Sequence, residues 1–321
     1  LMSDRGTPYG YRHMHGFGSH TFSMINNDHE RVWVKFHFKS KQGIKNFTAE
    51  DAQKMSGENP DFAQEDLVNA IENNEFPKWT LFIQVMTEEQ AQEFRWNPFD
   101  VTKVWFQDEF PLLEVGEMEL NEIPDNFFAH VEQATFSPSN LISGISFSPD
   151  KMLQGRLFSY PDAHRYRVGV NSHLLEVNRC PFSVNNYKRD GAMANSSNYK
   201  DAPNYYPNSF DEIKADSDYK FLEYDLDSTR VAHFNRNEND DDHYTQPGLL
   251  YTKAMNQEDR AHLIKNIVDS MNDISGPKRE EIINRQLCHF FRANIELGMK
   301  IAIGLQVNID ANMMTHTKSH E

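Results

Sequence analysis

The stretch RVWVKFHFK, residues 31–39, decides the fold of the first part of the chain. Successive side chains of an extended strand point to opposite faces, so every second residue shares a face. The two sets here are Val32, Val34, Phe36 and Phe38 on one face, and Trp33, Lys35, His37 and Lys39 on the other. This strict alternation predicts a half-buried β-strand.

The residues around this strand continue the β pattern. HTFSMI (20–25) precedes the turn cluster NNDHE, which predicts a hairpin over 18–40. WTLFIQVM (79–86), TKVWF (102–106) and the apolar run near 111–115 predict further strands. Thr48 with Asp51 resembles a capping box and predicts a helix from there, and DFAQEDLVNAIENN predicts a second. Residues 1–122 are therefore predicted to be antiparallel β-structure with helical insertions.

Turn-forming residues dominate from 123 to 245, with one helical exception. Ser148 and Pro149 predict a helix start, with serine as the N-cap and proline in the first helical position, and DKMLQGRLFSY continues in helical register. An irregular stretch of this length is uncommon inside one compact domain. We therefore expect it to wrap over another domain or another subunit.

The last part of the chain, 246–321, is predicted to be helical. Asn256 is in position to cap QEDRAHLIKNIVDSMNDI, and the segments KREEIINRQLCHFFRAN and IELGMKIAIGLQV predict one or two more helices. Apolar residues of the first helix recur at helical spacing, namely Leu263, Ile264, Ile267, Val268 and Met271. One face of that helix is therefore predicted to be apolar.

Composition limits the classes of function. The 321 residues carry a net charge of −16, and the pI is near 5.3, which argues against non-specific binding of nucleic acid or anionic membrane. No membrane span is predicted, because no run of 18 apolar residues occurs. Two cysteines exclude a disulfide framework and favour a reducing, cytoplasmic compartment. The opening LMSDRG does not resemble a natural start, so export stays open.

A polar stripe occupies residues 156–167. Arg156, Tyr160, His164 and Arg167 follow one another at steps of four, four and three, which places them on one face of a helix. One interpretation is a solvated helix face. The other is a tyrosine whose phenolate is favoured by a cation one turn away. Tyrosinate is among the few axial ligands that proteins use for haem iron.

The segment RLFSYPDAH (156–164) resembles, without departure, the haem-ligand signature of the haem catalases. The resemblance extends over about residues 1–310 and is closest to the small-subunit bacterial type. It also includes SDRGTPYGYRHMHGFGSHTF, WNPFDVTKVW, VEQATFSPSN, SPDKMLQGRLF and APNYYPNSF. It implies an α+β fold: an antiparallel β-barrel (1–122), incomplete here, a wrapping segment with the haem-ligand helix (123–245), and a C-terminal helical domain (246–321).

The resemblance assigns roles residue by residue. Tyr160 matches the axial ligand of the haem iron, and Arg156 matches the arginine that hydrogen-bonds its phenolate. His20 and Asp150 match the pair that supports this arginine. Arg167 matches a cation for a haem propionate. Further positions that match the haem lining are His164, Met152, Ser159 and Phe136. The expected cofactor is haem b.

The resemblance leaves NADPH binding open. Positions that match the family's NADPH site are Ser3, Arg5, Lys39 and Trp105. The pattern usually has a histidine two residues after the tryptophan, where this chain has Gln107. The family's distal histidine and asparagine lie upstream of the first motif, so these 321 residues are expected to be a C-terminal fragment, inactive alone, with a barrel that cannot close.

The resemblance implies disproportionation of hydrogen peroxide to water and oxygen by a homotetramer. Two alternatives remain at this point. Catalase-like allene oxide synthases share the tyrosinate ligand and act on fatty-acid hydroperoxides. A truncated chain without function is the other alternative.

Overall fold

The computed structural model describes residues 2–181, 191–192, 203, 205, 207–210 and 242–308. Within them the fold is α+β: one antiparallel sheet, helices attached to it, and a group of C-terminal helices, as predicted. The strands are β1 (Gly16–Phe17), β2 (Phe22–Ile25), β3 (Arg31–Ser40), β4 (Lys78–Met86), β5 (Leu113–Glu119) and β6 (Ile145–Ser146). Their order is β5-β4-β3-β2-β6, and β1 also pairs with β3.

The predicted strand 31–39 is the centre of this sheet. It pairs with β2 on one side, Phe22 opposite Val34, and with β4 on the other, where Trp33 lies opposite Met86. The prediction for WTLFIQVM is confirmed by β4. The prediction for TKVWF is wrong: residues 102–106 form no strand, and they belong to the loop that covers the sheet.

The more polar face of β3, which carries Lys35 and His37, is more deeply buried than the face that carries valine and phenylalanine. Trp33, Lys35 and His37 are buried on one face. On the other face Val34 is buried, but Phe36 and Phe38 are only half-buried. The reason is the apolar cluster that covers the Trp33 face. It contains Trp33, Met86, Ala91, Phe94, Trp96, Trp105 and Phe110. The more apolar face of the central strand is thus the more open one, and two buried polar side chains line the covered face.

Three helices are inserted along the strand region: α1 (Ala49–Glu58), α2 (Phe62–Glu72) and α3 (Glu88–Glu93). Thr48 caps α1, since its side chain accepts the amide of Asp51 as predicted. Thr87 and Gln90 form a reciprocal capping box on α3. These caps satisfy amide groups that have no partner inside a helix.

Helix α4 (Lys151–Arg167) carries the predicted haem-ligand signature and runs through Pro161. Its N-cap is Asp150, whose side chain accepts the amides of Met152 and Leu153. The prediction that Ser148 is the N-cap is wrong, because its hydroxyl donates to the carbonyl of Thr21 instead. Ser148 therefore binds the residues before α4 to Thr21 beside β2, and Asp150 caps the helix.

The C-terminal helices are α5 (Thr245–Leu249), α6 (Gln257–Asn272), α7 (Arg279–Ala293) and α8 (Ile295–Gly304). Asn256 caps α6 as predicted and forms a capping box with Asp259. The core that the helices share includes Tyr251, Ile267, Met271, Ile283, Leu287, Phe291, Leu297 and Ile301. Gly298 is required there, since a Cβ would lie 2.5 Å from the Phe291 ring.

Polar contacts attach the C-terminal helices to the strand region. Gln246 exchanges two hydrogen bonds of 3.0 Å with the main chain of Val104, and Asp242 pairs with Arg95 at 2.9 Å. At the far end, His262 on α6 binds Asp4 at 2.6 Å. The helices are therefore fixed at two separate places.

Most of the predicted wrapping segment lies outside the described residues, as does Tyr206 of APNYYPNSF. Tyr205 and Phe210 of this motif are described, and 61% and 65% of their surfaces are exposed. None of the helices among the described residues combines the length and apolar character needed to cross a bilayer.

The His262–Asp4 pair predicts a pH-dependent stability. Its hydrogen bond, with the charges of Asp4, Glu258 and Asp259, raises the pKa of His262. A raised histidine pKa stabilises the fold fully below the unfolded value near 6.5, and this contribution is lost as pH rises through the folded value. Because the pair is partly open to solvent, we expect about 1 kcal/mol or less.

The measurement is chemical unfolding of the parent and of His262→Gln at pH 6 and pH 9. At pH 6 we expect a higher free energy of unfolding for the parent than for His262→Gln. This difference should be smaller at pH 9. His289→Gln is the control, because His289 binds the hydroxyl of Tyr244 rather than a carboxylate. A His262→Gln difference that is the same at both pH values would contradict the prediction.

Candidate functional site

Arg156 and Tyr160 face each other on α4. They are four residues apart, so one helical turn brings their side chains together. The Nη2 of Arg156 donates to the Tyr160 hydroxyl oxygen at 2.8 Å, and the guanidinium carbon lies 4.8 Å from the ring centre. The hydrogen bond therefore fixes the position of the Tyr160 oxygen, the atom type by which tyrosine binds haem iron.

His20 and Asp150 form a second, deeply buried pair. The Nδ1 of His20 lies 2.6 Å from Oδ2 of Asp150, and 8% and 2% of the two residues are exposed. The other carboxylate oxygen accepts the amides of Met152 and Leu153 at 2.9 and 3.1 Å. One carboxylate thus fixes both the imidazole and the first turn of α4.

The structure brings the four predicted residues together as two pairs. His20 and Asp150 meet at the start of α4, and Arg156 and Tyr160 meet about two to three turns further along it. No hydrogen bond between the pairs occurs among the described residues. The predicted support of Arg156 by His20 therefore stays a prediction.

Arg167 and His164 hold a neighbouring segment against α4. Arg167 donates to the carbonyls of Glu132 and Ala134 at 2.8 and 2.6 Å, and Nε2 of His164 lies 2.8 Å from the Phe136 carbonyl. These contacts place residues 132–136 beside α4. The predicted role of Arg167 toward a propionate stays a prediction.

The surroundings of Tyr160 fit a flat, largely apolar cofactor. Tyr160 is half-buried, while Met152 is 58% and Phe136 is 83% exposed. Ser159 is exposed on the same helix. Large apolar side chains left open around a polar group are typical of a binding surface. An arginine-supported tyrosine oxygen in such a surface suits the iron of a haem.

The positions predicted for NADPH lie in three places: Ser3 and Arg5 near the start of the described chain, Lys39 on β3, and Trp105 in the loop that covers the sheet. Burial lowers the pKa of Lys39, and the nearby Arg5 lowers it further. Trp105 is 3% exposed, and its buried indole nitrogen has no hydrogen-bond partner. Ser3 is half-buried. The two cations suit an anionic group, and the predicted NADPH role is not tested by these contacts.

Sequence reasoning missed a buried lysine. Lys35 is 4% exposed on the covered face of β3. Its ammonium donates to the carbonyl of Lys103 at 2.9 Å and lies 5.2 Å from the ring centre of Trp105. The alternation of β3 placed it on the polar face, which suggested exposure. The large apolar Trp33 on the same face was the one feature of the sequence that indicated burial of Lys35.

The antiparallel sheet and the helix on which an arginine donates to a tyrosine oxygen together suit the class of haem-binding proteins. Comparison with protein families agrees. The family model "Catalase" matches residues 1–212, and "Catalase-related immune-responsive" matches residues 237–305. The chain belongs to the catalase family.

Individual relatives extend this result. The chain is 51% identical to the catalase of the Onchocerca volvulus endobacterium over 97% of its length, and 51% identical to catalase A of Pseudomonas putida over 96%. It spans 63% of the length of each. A bacterial catalase structure superimposes with a TM-score of 0.81 at 38% identity, covering 95% of this chain and 62% of that one. Catalase A from Saccharomyces cerevisiae superimposes with a TM-score of 0.78 at 37% identity, covering 95% of this chain and 62% of that one.

Proposed function

We propose that the protein containing this chain is a haem catalase that converts two molecules of hydrogen peroxide to two of water and one of oxygen. The observation that carries the proposal is the 2.8 Å hydrogen bond from Arg156 to Tyr160 within RLFSYPDAH. Bound haem, with haem b the expected form, supplies the iron at which one peroxide is reduced and another oxidised. Tyr160 would ligate that iron.

The residues of this chain act on the proximal side in this proposal. Arg156 orients the Tyr160 oxygen through its hydrogen bond, and Asp150 caps the helix that carries both. Met152 and Phe136 would supply apolar contacts to the haem. Arg167 would donate to a haem propionate. The motifs of the family's distal histidine and asparagine are not among the 321 residues, so turnover is expected only from a chain that contains them.

The test is oxygen evolution by the protein expressed from its complete reading frame. We expect oxygen from hydrogen peroxide and no consumption of a fatty-acid hydroperoxide. The reverse result would assign the protein to the allene oxide synthase reaction. Neither activity in a haem-loaded protein would contradict the proposal.

We also propose that NADPH binds near Arg5 and Lys39. Their charges support binding of a phosphate group, and Ser3 and Trp105 are the other positions that match the family's site. A fluorescence titration with NADPH would test this. Binding in the micromolar range that is lost in Lys39→Ala supports the site; binding unchanged in Lys39→Ala would overturn it.

We further propose a homotetramer in the cytoplasm. The cytoplasm is supported by two free cysteines, Cys180 and Cys288. Exposed Tyr205 and Phe210 support an interface, because aromatic anchors on irregular backbone bury large areas with few rotatable bonds.

Light scattering of the protein from the complete reading frame is expected to give four times the chain mass. Replacing both Tyr205 and Phe210 by Ala is expected to shift dilute protein toward dimer or monomer. Replacing the exposed Tyr166, which lies on α4, by Ala serves as the control. A stable monomer of the unaltered protein that turns over peroxide would refute the tetramer.

A further inference from the structure

Ser148 lies where the strand pairing that leads into α4 ends. Residues 23–24 of β2 pair with residues 145–146 of β6. The same antiparallel register, continued by two residues, places Ser148 opposite Thr21. The next residue in the chain is Pro149, which has no amide hydrogen to continue a ladder of hydrogen bonds. The main-chain pairing therefore ends beside Ser148.

The Ser148 hydroxyl makes two hydrogen bonds at this point. It donates to the carbonyl of Thr21 and accepts the amide of Asp150 at 3.3 Å. All three residues are buried: Ser148 is 0% exposed, Thr21 is 1% exposed and Asp150 is 2% exposed. A hydroxyl can donate one hydrogen bond while it accepts another, and a buried group that loses its partner is costly. Both bonds depend on this one oxygen atom.

These two bonds join the two halves of the His20–Asp150 pair. Thr21 directly follows His20 in the chain, and the Oδ2 of Asp150 lies 2.6 Å from the Nδ1 of His20. The Ser148 hydroxyl therefore links the main chain beside the imidazole to the main chain of the carboxylate. Thr21 is itself fixed, because its hydroxyl donates to the carbonyl of Pro98 at 2.7 Å. The position of the imidazole relative to the carboxylate thus depends on Ser148.

We propose that Ser148 is a positioning residue that holds the His20–Asp150 pair together and so fixes the start of the helix that presents Tyr160. Asp150 also accepts the first amides of α4, so a shift of its carboxylate loosens the first helical turn. The effect on Tyr160 rests on the proposed function, whereas the effect on the first turn of α4 does not.

The experiment compares Ser148→Ala with Ser23→Ala in the protein from the complete reading frame. Ser23 is the matched control, because it is 1% exposed and its hydroxyl donates to a main-chain carbonyl of the same segment, that of Phe147, at 3.0 Å. Each variant loses a buried hydroxyl beside β2, so we expect both to lower the midpoint of chemical denaturation. Of the two serines, Ser148 is the one whose hydroxyl binds Asp150.

Hydrogen exchange of the Met152 and Leu153 amides tests the positioning role without haem. These amides donate to the Asp150 carboxylate at 2.9 and 3.1 Å. We expect exchange about 10-fold faster than in the parent for Ser148→Ala, and a change of less than about 2-fold for Ser23→Ala. Unchanged exchange in Ser148→Ala would overturn the proposal. Equal acceleration in both variants would also overturn it, because it would indicate a general loss of stability.

Haem release tests the consequence for the proposed site. We expect Ser148→Ala to release haem about 10-fold faster than the parent, as the loss of groups that support metal ligands does, and Ser23→Ala to stay within about 2-fold. His20→Gln should also speed release. The double variant with Ser148→Ala should be no faster than the faster single variant, because both changes act through one pair.

The haem measurements separate failure of the proposal from failure of the proposed function. Unchanged haem release in Ser148→Ala, or effects of Ser148→Ala and His20→Gln that multiply in the double variant, would overturn the positioning role. A parent protein that binds no haem would instead refute the proposed function, and the exchange of the Met152 and Leu153 amides would still decide the role of Ser148.

Discussion

Replacing Tyr160 by Phe is expected to lower peroxide turnover by more than about 100-fold and to change the ferric haem spectrum. Loss of the ligand itself should exceed the 10- to 100-fold effects typical of groups that only support a ligand. The hydroxyl is the atom that Arg156 contacts at 2.8 Å, so its removal also leaves that guanidinium without its acceptor. Oxygen evolution and absorbance of the protein from the complete reading frame provide the measurement.

Tyr166→Phe is the matched control for this change. Tyr166 lies on the same helix and is 79% exposed, so loss of its hydroxyl should leave both readouts unchanged. A Tyr160→Phe protein with the parent's spectrum and turnover would show that the ligand assignment is wrong.

Replacing Asp150 by Ala is expected to lower the free energy of unfolding by about 2–4 kcal/mol. Loss of an N-cap costs about 1 kcal/mol, and a buried donor left unpaired costs about 1–3 kcal/mol more. The donors that lose their acceptor are Nδ1 of His20 and the amides of Met152 and Leu153. Chemical denaturation at neutral pH provides the measurement.

Asp150→Asn separates the cap from the charge. The amide oxygen of asparagine can still accept the helix amides, so this variant should lose clearly less stability than Asp150→Ala. Equal losses in the two variants would show that the cap contributes little and that the charge accounts for the effect.

The sequence predicted the strands whose side chains alternate and the helices with clear caps. β3, β4, α1 and α6 lie where the pattern placed them, because alternation and capping are local properties of a few neighbouring residues. TKVWF has the composition of a strand, but no neighbouring strand pairs with it in the described structure. Pairing is not local, so composition could not reveal its absence.

The candidate site was predicted by family resemblance rather than by spacing alone. Helical spacing placed Arg156 beside Tyr160, which the structure bears out. The contact of His20 with Asp150 joins residues 130 positions apart. No local pattern in one sequence shows that residues so far apart in the chain lie in contact. The cap on α4 was missed because Ser148 and Asp150 are equally good caps, and only the position of Thr21 decides between them.

The contacts of the chain's first residues with α6 have a consequence for the order of synthesis. Asp4 binds His262, 258 positions later, and Asn266 binds the carbonyl of Met2, 264 positions earlier. At about 5–20 residues per second, a ribosome needs roughly 13–50 s to make the intervening chain. During that interval the sheet can pair, but Asp4 has no partner from α6. The contacts of Asp4 and Met2 with α6 therefore form only after α6 has emerged from the ribosome.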